Sequence, residues 1–439
     1  MERSPHARGG LLALSCPGGG GPVAPDRARD AVHAEAPDVL LIAVDGLRPD
    51  DLERPGLAEL AGRGVRFEAA FAQAGWGGGA LASVLTGSPP ALHRVLGPAD
   101  TRDRALPTLL EVLQAEGYAT AWIEGGADGP RAAGLVSGVD WTARPGRGDL
   151  MPESPRRLRL VRLLERGRVA AIDHDAVLGA AEGVIAANRA RGNRWAVVVR
   201  VDASDDGRAS AVATAVGDAV TRMDARGDLD RALIALVGST ARSDGPRDLG
   251  DATLRVPLVL VQPGGALAGV SAPWTVRTMD LAPTLVVQAR GTLPPGWWAQ
   301  DLLEQDAVDF MTGRIAPPPD RDFVALPDGD VISSETLARP VVAAQDVDGI
   351  SRTALREGGW KLVRRQGPDG QMVEEVYDLE TDPAELRNVA GPAARERVRM
   401  GQALDRLLGE WAGSEDPCSR CIATVADPAD CVLACVEEP

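Results

Sequence analysis

Apolar runs and polar turns alternate along this chain in two styles. Asp38 to Val44 (DVLLIAV) is a continuous apolar run ending at Asp45-Gly46, the pattern of a strand covered on both faces. Residues 55–64 follow with helical spacing, and Val65–Phe71 reads as a strand. Ala80–Leu85 predicts a short helix stopped by Gly87 and Pro89. A helix is predicted over Leu106–Glu116, with Pro107 near its start and Gly117 after its end, leading into a strand at Tyr118–Ile123. Arg156–Val169 reads as a basic, solvated helix. Helices over residues 173–190 and 209–226 feed strands at Trp195–Val201 and Ala232–Val237. A strand at Val256–Gln262 precedes a helix over residues 278–289.

Strands alternating with helices predict an α/β fold, a mixed, mostly parallel sheet sandwiched by helices. After residue 300 the rhythm changes. Ala354–Leu355, Trp360–Arg364 and Val376–Leu379 read as short antiparallel strands, with turns at Glu357-Gly358-Gly359 and Pro368-Asp369-Gly370. A helix over residues 392–412 closes this smaller α+β unit. The expected organisation is a leader and Gly/Pro-rich linker (1–37), an α/β domain (38–300), a C-terminal α+β subdomain (301–412) and a Cys-rich tail (413–439).

Composition narrows the chemistry. The 439 residues carry a formal net charge of −16, the wrong sign for a phosphate-backbone binder, so no nucleic-acid partner is expected. No apolar run reaches the ~18 residues of a membrane-spanning helix. Of the 47 basic residues only Lys361 is a lysine, and the histidines are His6, His33, His93 and His174. Lysine- and histidine-based mechanisms therefore have few places to reside.

The five cysteines divide by position. Cys16 follows two arginines and the small apolar run Gly9 to Ser15, which resembles a bacterial lipoprotein export signal with Cys16 as the lipidated residue. The alternative is an unstructured cytoplasmic leader or a different start codon. Cys418, Cys421, Cys431 and Cys435 form C-x2-C-x9-C-x3-C. An exported acidic chain favours two disulfides here, with three pairings open; a four-thiolate zinc or iron–sulfur site is the rival. The expected location is extracytoplasmic, at the membrane through a lipid anchor.

With these elements in place, the order of motifs resembles the sulfatase family of the alkaline phosphatase superfamily. DVLLIAVDGLRPD (Asp38–Asp50) is similar to the family's first strand and metal loop, and LAELAGRGVRFEAAFAQAGW (Leu57–Trp76) to the helix and strand that follow. ALASVLTG (Ala80–Gly87) resembles the helix after the nucleophile, and LPTLLEVLQAEGYATAWI (Leu106–Ile123) the next helix and strand. LRVPLVLVQPG (Leu254–Gly264), DLAPTL (Asp280–Leu285), WKLV (Trp360–Val363) and YDLETDPAELRNVA (Tyr377–Ala390) complete the series.

The resemblance implies a formylglycine or threonine nucleophile at a helix start, a divalent metal and basic residues around the ester. Counting back from Thr86-Gly87, the nucleophile position holds Gly77, and the downstream basic position holds Leu81. Asp45 matches one metal ligand, but its partner position is Gly46, and the later ligand pair falls on Ser239-Thr240. One carboxylate binds calcium poorly, so Asp45 is expected to be vestigial, capping or hydrogen-bonding its loop. The family's Lys and His after the third strand fall in Glu124–Ala127, where neither type occurs. Ser83, Thr86, His93 and Lys361 are expected in structural roles. Gly77-Gly78-Gly79 reads as a flexible surface loop, or as backbone N–H groups offered to an anion. Asp202, Asp205 and Asp206 read as a solvated acidic loop, with a displaced metal site as the other reading.

The resulting expectation is a catalytically degenerate sulfatase-like protein: a non-catalytic binding or scaffold module for a protein or glycan ligand, without a cofactor. The alternative is a metal-dependent sulfuric or phosphoric ester hydrolase with a rewired site using Asp45 and the 202–206 acidic cluster, for which Ca or Mg would be the cofactor. A third reading is a pocket that binds a sulfated or phosphorylated glycan without cleaving it.

Overall fold

The computed structural model describes residues 36–125, 133–144, 149–151, 174–203, 206–241, 248–312, 323–325, 331–333, 338–347 and 349–413. The basic segment 156–169, Asp205, Cys16 and the four C-terminal cysteines lie outside them.

Among the described residues, nine strands form the main sheet: β1 (Asp38–Gly46), β2 (Val65–Phe71), β3 (Ala119–Glu124), β4 (Trp141–Arg144), β5 (Asp149–Met151), β6 (Trp195–Asp202), β7 (Ala232–Ala241), β8 (Arg255–Val261) and β9 (Val270–Arg277). Their order is β5-β4-β3-β6-β1-β7-β8-β2-β9. The central run β3-β6-β1-β7 is parallel throughout, so the carboxyl ends of these four strands share one edge. The sheet is mixed because β8 runs antiparallel to both β7 and β2, and β5 antiparallel to β4.

The apolar run of β1 explains the layering. Val39, Leu41 and Ala43 enter one core with the helices Gly77–Thr86, Leu109–Ala115 and Leu281–Gln288. Leu40, Ile42 and Val44 point the other way, into a core with the helices Leu57–Gly62, His174–Ala190 and Asp206–Ala225. A central parallel strand is buried on both faces, and period-two side chains feed both cores.

Beyond a two-stranded ribbon of β10 (Phe323–Ala325) and β11 (Val331–Ser333), a four-stranded antiparallel sheet follows. Its strands are β12 (Val341–Val347), β13 (Ile350–Glu357), β14 (Trp360–Gln366) and β15 (Met372–Asp378). Leu355, Leu362 and Val376 pack with Met400, Leu404 and Trp411 of the helix Ala394–Gly413. Ala354, Val363 and Tyr377, one residue along each strand, belong to the main core. The β12 backbone is tied in as well: Ala344 N–H donates to Gln73 O (2.9 Å) and Asp346 N–H to Leu96 O (2.9 Å).

One local expectation is overturned. The glycines 77–79 are not a surface loop; they form the first turn of the helix Gly77–Thr86, and Gly78 and Gly79 are buried. The cause is Trp76, whose indole lies over both: a Cβ on Gly78 would sit 2.1 Å from Trp76 Cζ3, and one on Gly79 2.7 Å from Nε1. Trp76 Nε1 donates to Leu96 O at 3.1 Å, which fixes the ring. Glycine's low helix propensity yields to the packing of one aromatic plate.

Candidate functional site

The carboxyl ends of parallel strands are where open α/β sheets place ligands. Here that edge gathers Glu124 on β3, Arg200 and Asp202 on β6, Asp45 on β1 and Ser239 on β7. Glu124 is in register with Arg200, and Asp202 with Asp45. Paired residues of parallel strands project from the same face, as do residues two apart on one strand. All four charged side chains therefore emerge on the face that carries the Gly77–Thr86 helix.

Asp45 is nearly buried, at 8% exposed. A register shift between Val44 and Gly46 against β7, with Gly46 at φ 86°, sets the strand end where its carboxylate projects. Arg200 donates to Asp45 Oδ2 and Ser239 Oγ donates to Oδ1. Asp45 was expected to cap or hydrogen-bond its loop; its carboxylate is bound by Arg200 and Ser239. Its backbone carbonyl accepts from Ala203 N–H at 2.7 Å, just beyond β6.

Gly77 faces this carboxylate. A Cβ built on it would lie 3.1 Å from Asp45 Oδ1 and 3.3 Å from Oδ2. The residue assigned to the nucleophile position by motif register is therefore adjacent to the residue assigned to the metal loop.

Arg200 is 7% exposed. Burial works against its charge, but Asp45 and Glu124 outweigh that and hold the guanidinium above its ordinary value. Glu124 is buried beside it at 1% exposed. Sequence reasoning passed over Arg200 because WAVVVRVD reads as a buried strand. The available signal was that its one basic residue interrupts an apolar run near the strand's carboxyl end.

A divalent metal fits this donor set poorly. Both oxygens of Asp45 are engaged by protein donors, Gly46 offers no side chain, and Ser239 spends its hydroxyl proton on Asp45. Among the described residues no group of three or more His, Cys, Asp or Glu side chains could hold an ion. Asp202 pairs with Arg208 at 3.5 Å, and Asp206 opens the helix Asp206–Ala225.

The other sequence candidates lie apart from this edge. Leu81 is fully buried in the main core. Thr86 Oγ1 donates back to Ala82 O at 2.7 Å. His93 is fully buried; its Nδ1 accepts from Val95 N–H (3.1 Å), so the ring proton resides on Nε2, 2.9 Å from Ser83 Oγ. Burial lowers the His93 pKa to about 3, so the ring is neutral at physiological pH. Lys361 is buried in the C-terminal sheet, bound to Asp251 and Glu385.

No family model and no curated protein matches the chain. Solved structures do. BT4656, determined in complex with its substrate D-glucosamine-2-N,6-O-disulfate, is 14% identical with a TM-score of 0.64, covering 87% of this chain and 99% of that one. The Bacteroides fragilis protein yidJ, assigned to the sulfatases, gives 15% identity and a TM-score of 0.64 over 87% and 97%. The phosphonate monoester hydrolase of Agrobacterium radiobacter gives 18% identity and 0.59 over 84% and 95%. By fold, then, this chain is similar to these sulfatase and phosphonate monoester hydrolase structures: a sulfatase-like architecture with a small C-terminal sheet.

Proposed function

We propose that this chain is a non-catalytic binding or scaffold module built on the sulfatase-like fold. The observation that carries the reading is the pairing of Gly77, which has no attacking atom, with an Asp45 carboxylate already bound by Arg200 and Ser239. Ester cleavage on this framework requires an activated nucleophile and a cation free to stabilise developing charge. Here the nucleophile position is hydrogen, and the central cation is committed to carboxylates. The ligand class is a protein or a glycan; BT4656 takes a sulfated glucosamine, and a sulfated glycan is the corresponding probe for this chain. Export with a lipid anchor at Cys16, and pairing of Cys418, Cys421, Cys431 and Cys435, belong to the same proposal.

The test is metal analysis of the purified protein together with aryl-sulfate, aryl-phosphate and phosphonate-monoester screens. The expected outcome is no turnover, and none gained by Gly77→Cys. Stoichiometric metal with turnover abolished by Asp45→Ala would overturn the proposal in favour of a rewired hydrolase. Binding on a sulfated-glycan array that survives chelator supports the module reading.

A further inference from the structure

We infer that Arg200 is the resident cation of this site, its guanidinium replacing the divalent ion that the sulfatase-like framework otherwise implies. Three carboxylates converge on it, two from the neighbouring strands and one from its own. Asp45 accepts a hydrogen bond from it, Glu124 is its register partner on β3, and Asp202 lies two residues along its own strand. All three act on the guanidinium electrostatically, Asp45 most strongly. A cation is required at this edge whatever the protein does, because buried carboxylates without a counter-charge are unfavourable. In a metal-dependent site that charge comes from solution and leaves with a chelator. In this chain it is covalently part of β6.

The replacement also explains Ser239. The planar fork of Arg200 reaches Oδ2 and leaves Oδ1, which Ser239 fills with a hydroxyl donor. Both Asp45 oxygens are engaged by side chains of the chain itself, so the carboxylate keeps its place in the absence of divalent ions.

The inference is independent of whether the protein turns over a substrate, and its test reads stability and metal binding alone. Wild-type protein is dialysed against EDTA, then titrated with Ca2+ and Mg2+ by calorimetry, with Tm measured in each state. The expected result is no heat of binding and the same Tm throughout. Arg200→Met should lower Tm by roughly 5–10 °C, while Arg200→Lys, which keeps the charge, should recover part of the loss. Arg200→Met combined with Asp45→Asn should be more stable than Arg200→Met alone, because the stranded carboxylate is gone. A Tm that falls in EDTA, saturable divalent binding by wild type, or additive losses in the double variant would overturn the inference. If Arg200→Met does not fold, the wild-type titrations and Arg200→Lys decide it.

Discussion

Lys361 Nζ lies 2.7 Å from Asp251 Oδ1 and 2.9 Å from Glu385 Oε1, with the lysine side chain wholly buried. This ammonium on β14 joins the C-terminal sheet to the short helix Asp251–Leu254 that precedes β8. Glu385 closes the triangle by accepting from Asp251 N–H at 2.6 Å. Arg356 adds a second cation on Asp251 at 3.1 Å. Lys361→Met should therefore destabilise the protein by about 3–5 kcal/mol, the usual range for breaking a buried pair by removing one partner. Denaturant melts measure the loss. Limited proteolysis should show faster release of the C-terminal sheet; a variant as stable as wild type would contradict the assignment.

His93 makes stability depend on pH in a stated direction. Its folded pKa, lowered by burial to about 3, lies below the ordinary 6.5. The unfolded chain therefore gains a proton as pH drops through about 6.5, and the folded chain refuses one until about 3. Stability from this residue falls across that window, by up to about 4 kcal/mol near its acid end. The gap between wild type and His93→Gln, followed by urea unfolding from pH 8 to pH 4, should shrink on acidification. A gap that stays constant rejects the account.

Asp38 acts in the opposite sense. Burial raises its pKa to about 6, against the pull of the Trp195 N–H and Arg231. The folded chain takes up this proton at higher pH than the unfolded chain, so the contribution to stability declines as pH rises from about 4 to 6 and stays low above. Asp38→Asn keeps an acceptor for Trp195 N–H, now 2.9 Å away, and discards the charge. It should stabilise the protein by about 1–3 kcal/mol at pH 7.5 and give no gain at pH 4. An equal effect at both values would rule out titration of Asp38 as the cause.

The glycine helix supplies a paired test. A methyl group added at Gly183, in the helix His174–Ala190, would meet nothing within 4 Å. Gly183→Ala should stabilise by about 0.5–1 kcal/mol through helix propensity. Gly78→Ala, whose methyl would meet Trp76 at 2.1 Å, should instead destabilise by about 1–3 kcal/mol. Pairing it with Trp76→Leu should relieve the clash. If both alanines stabilise equally, the indole does not hold the first turn.

Much of the sheet was legible because its strands are continuous apolar runs. Val65–Phe71 is predicted and found over the same residues, and β1 extends its prediction by only two, to Gly46. β9 escapes the pattern for a physical reason. Its VSAPWTVR is buried on alternate residues only and carries Pro273, which an edge strand tolerates. β12 hides in VVAAQDV, where alanines blur the pattern. At the site, motif register assigned Gly77 and Asp45 to two family positions, and the fold sets them against each other. The Arg200 contact did not, because it joins residues 155 positions apart and a lone arginine in a strand names no partner.

Gly46 gives this edge a direction in time. Its φ of 86° lies where side-chain-bearing residues are rarely found. An acidic residue placed there to rebuild a ligand pair would strain the backbone, and its carboxylate would add a further negative charge beside an Asp45 already held by Arg200. Regaining an ion therefore needs at least two coordinated changes, at 46 and at 200, each unfavourable by itself. Drift by single substitutions can vary this edge, but it cannot walk it back, step by step, to a metal site.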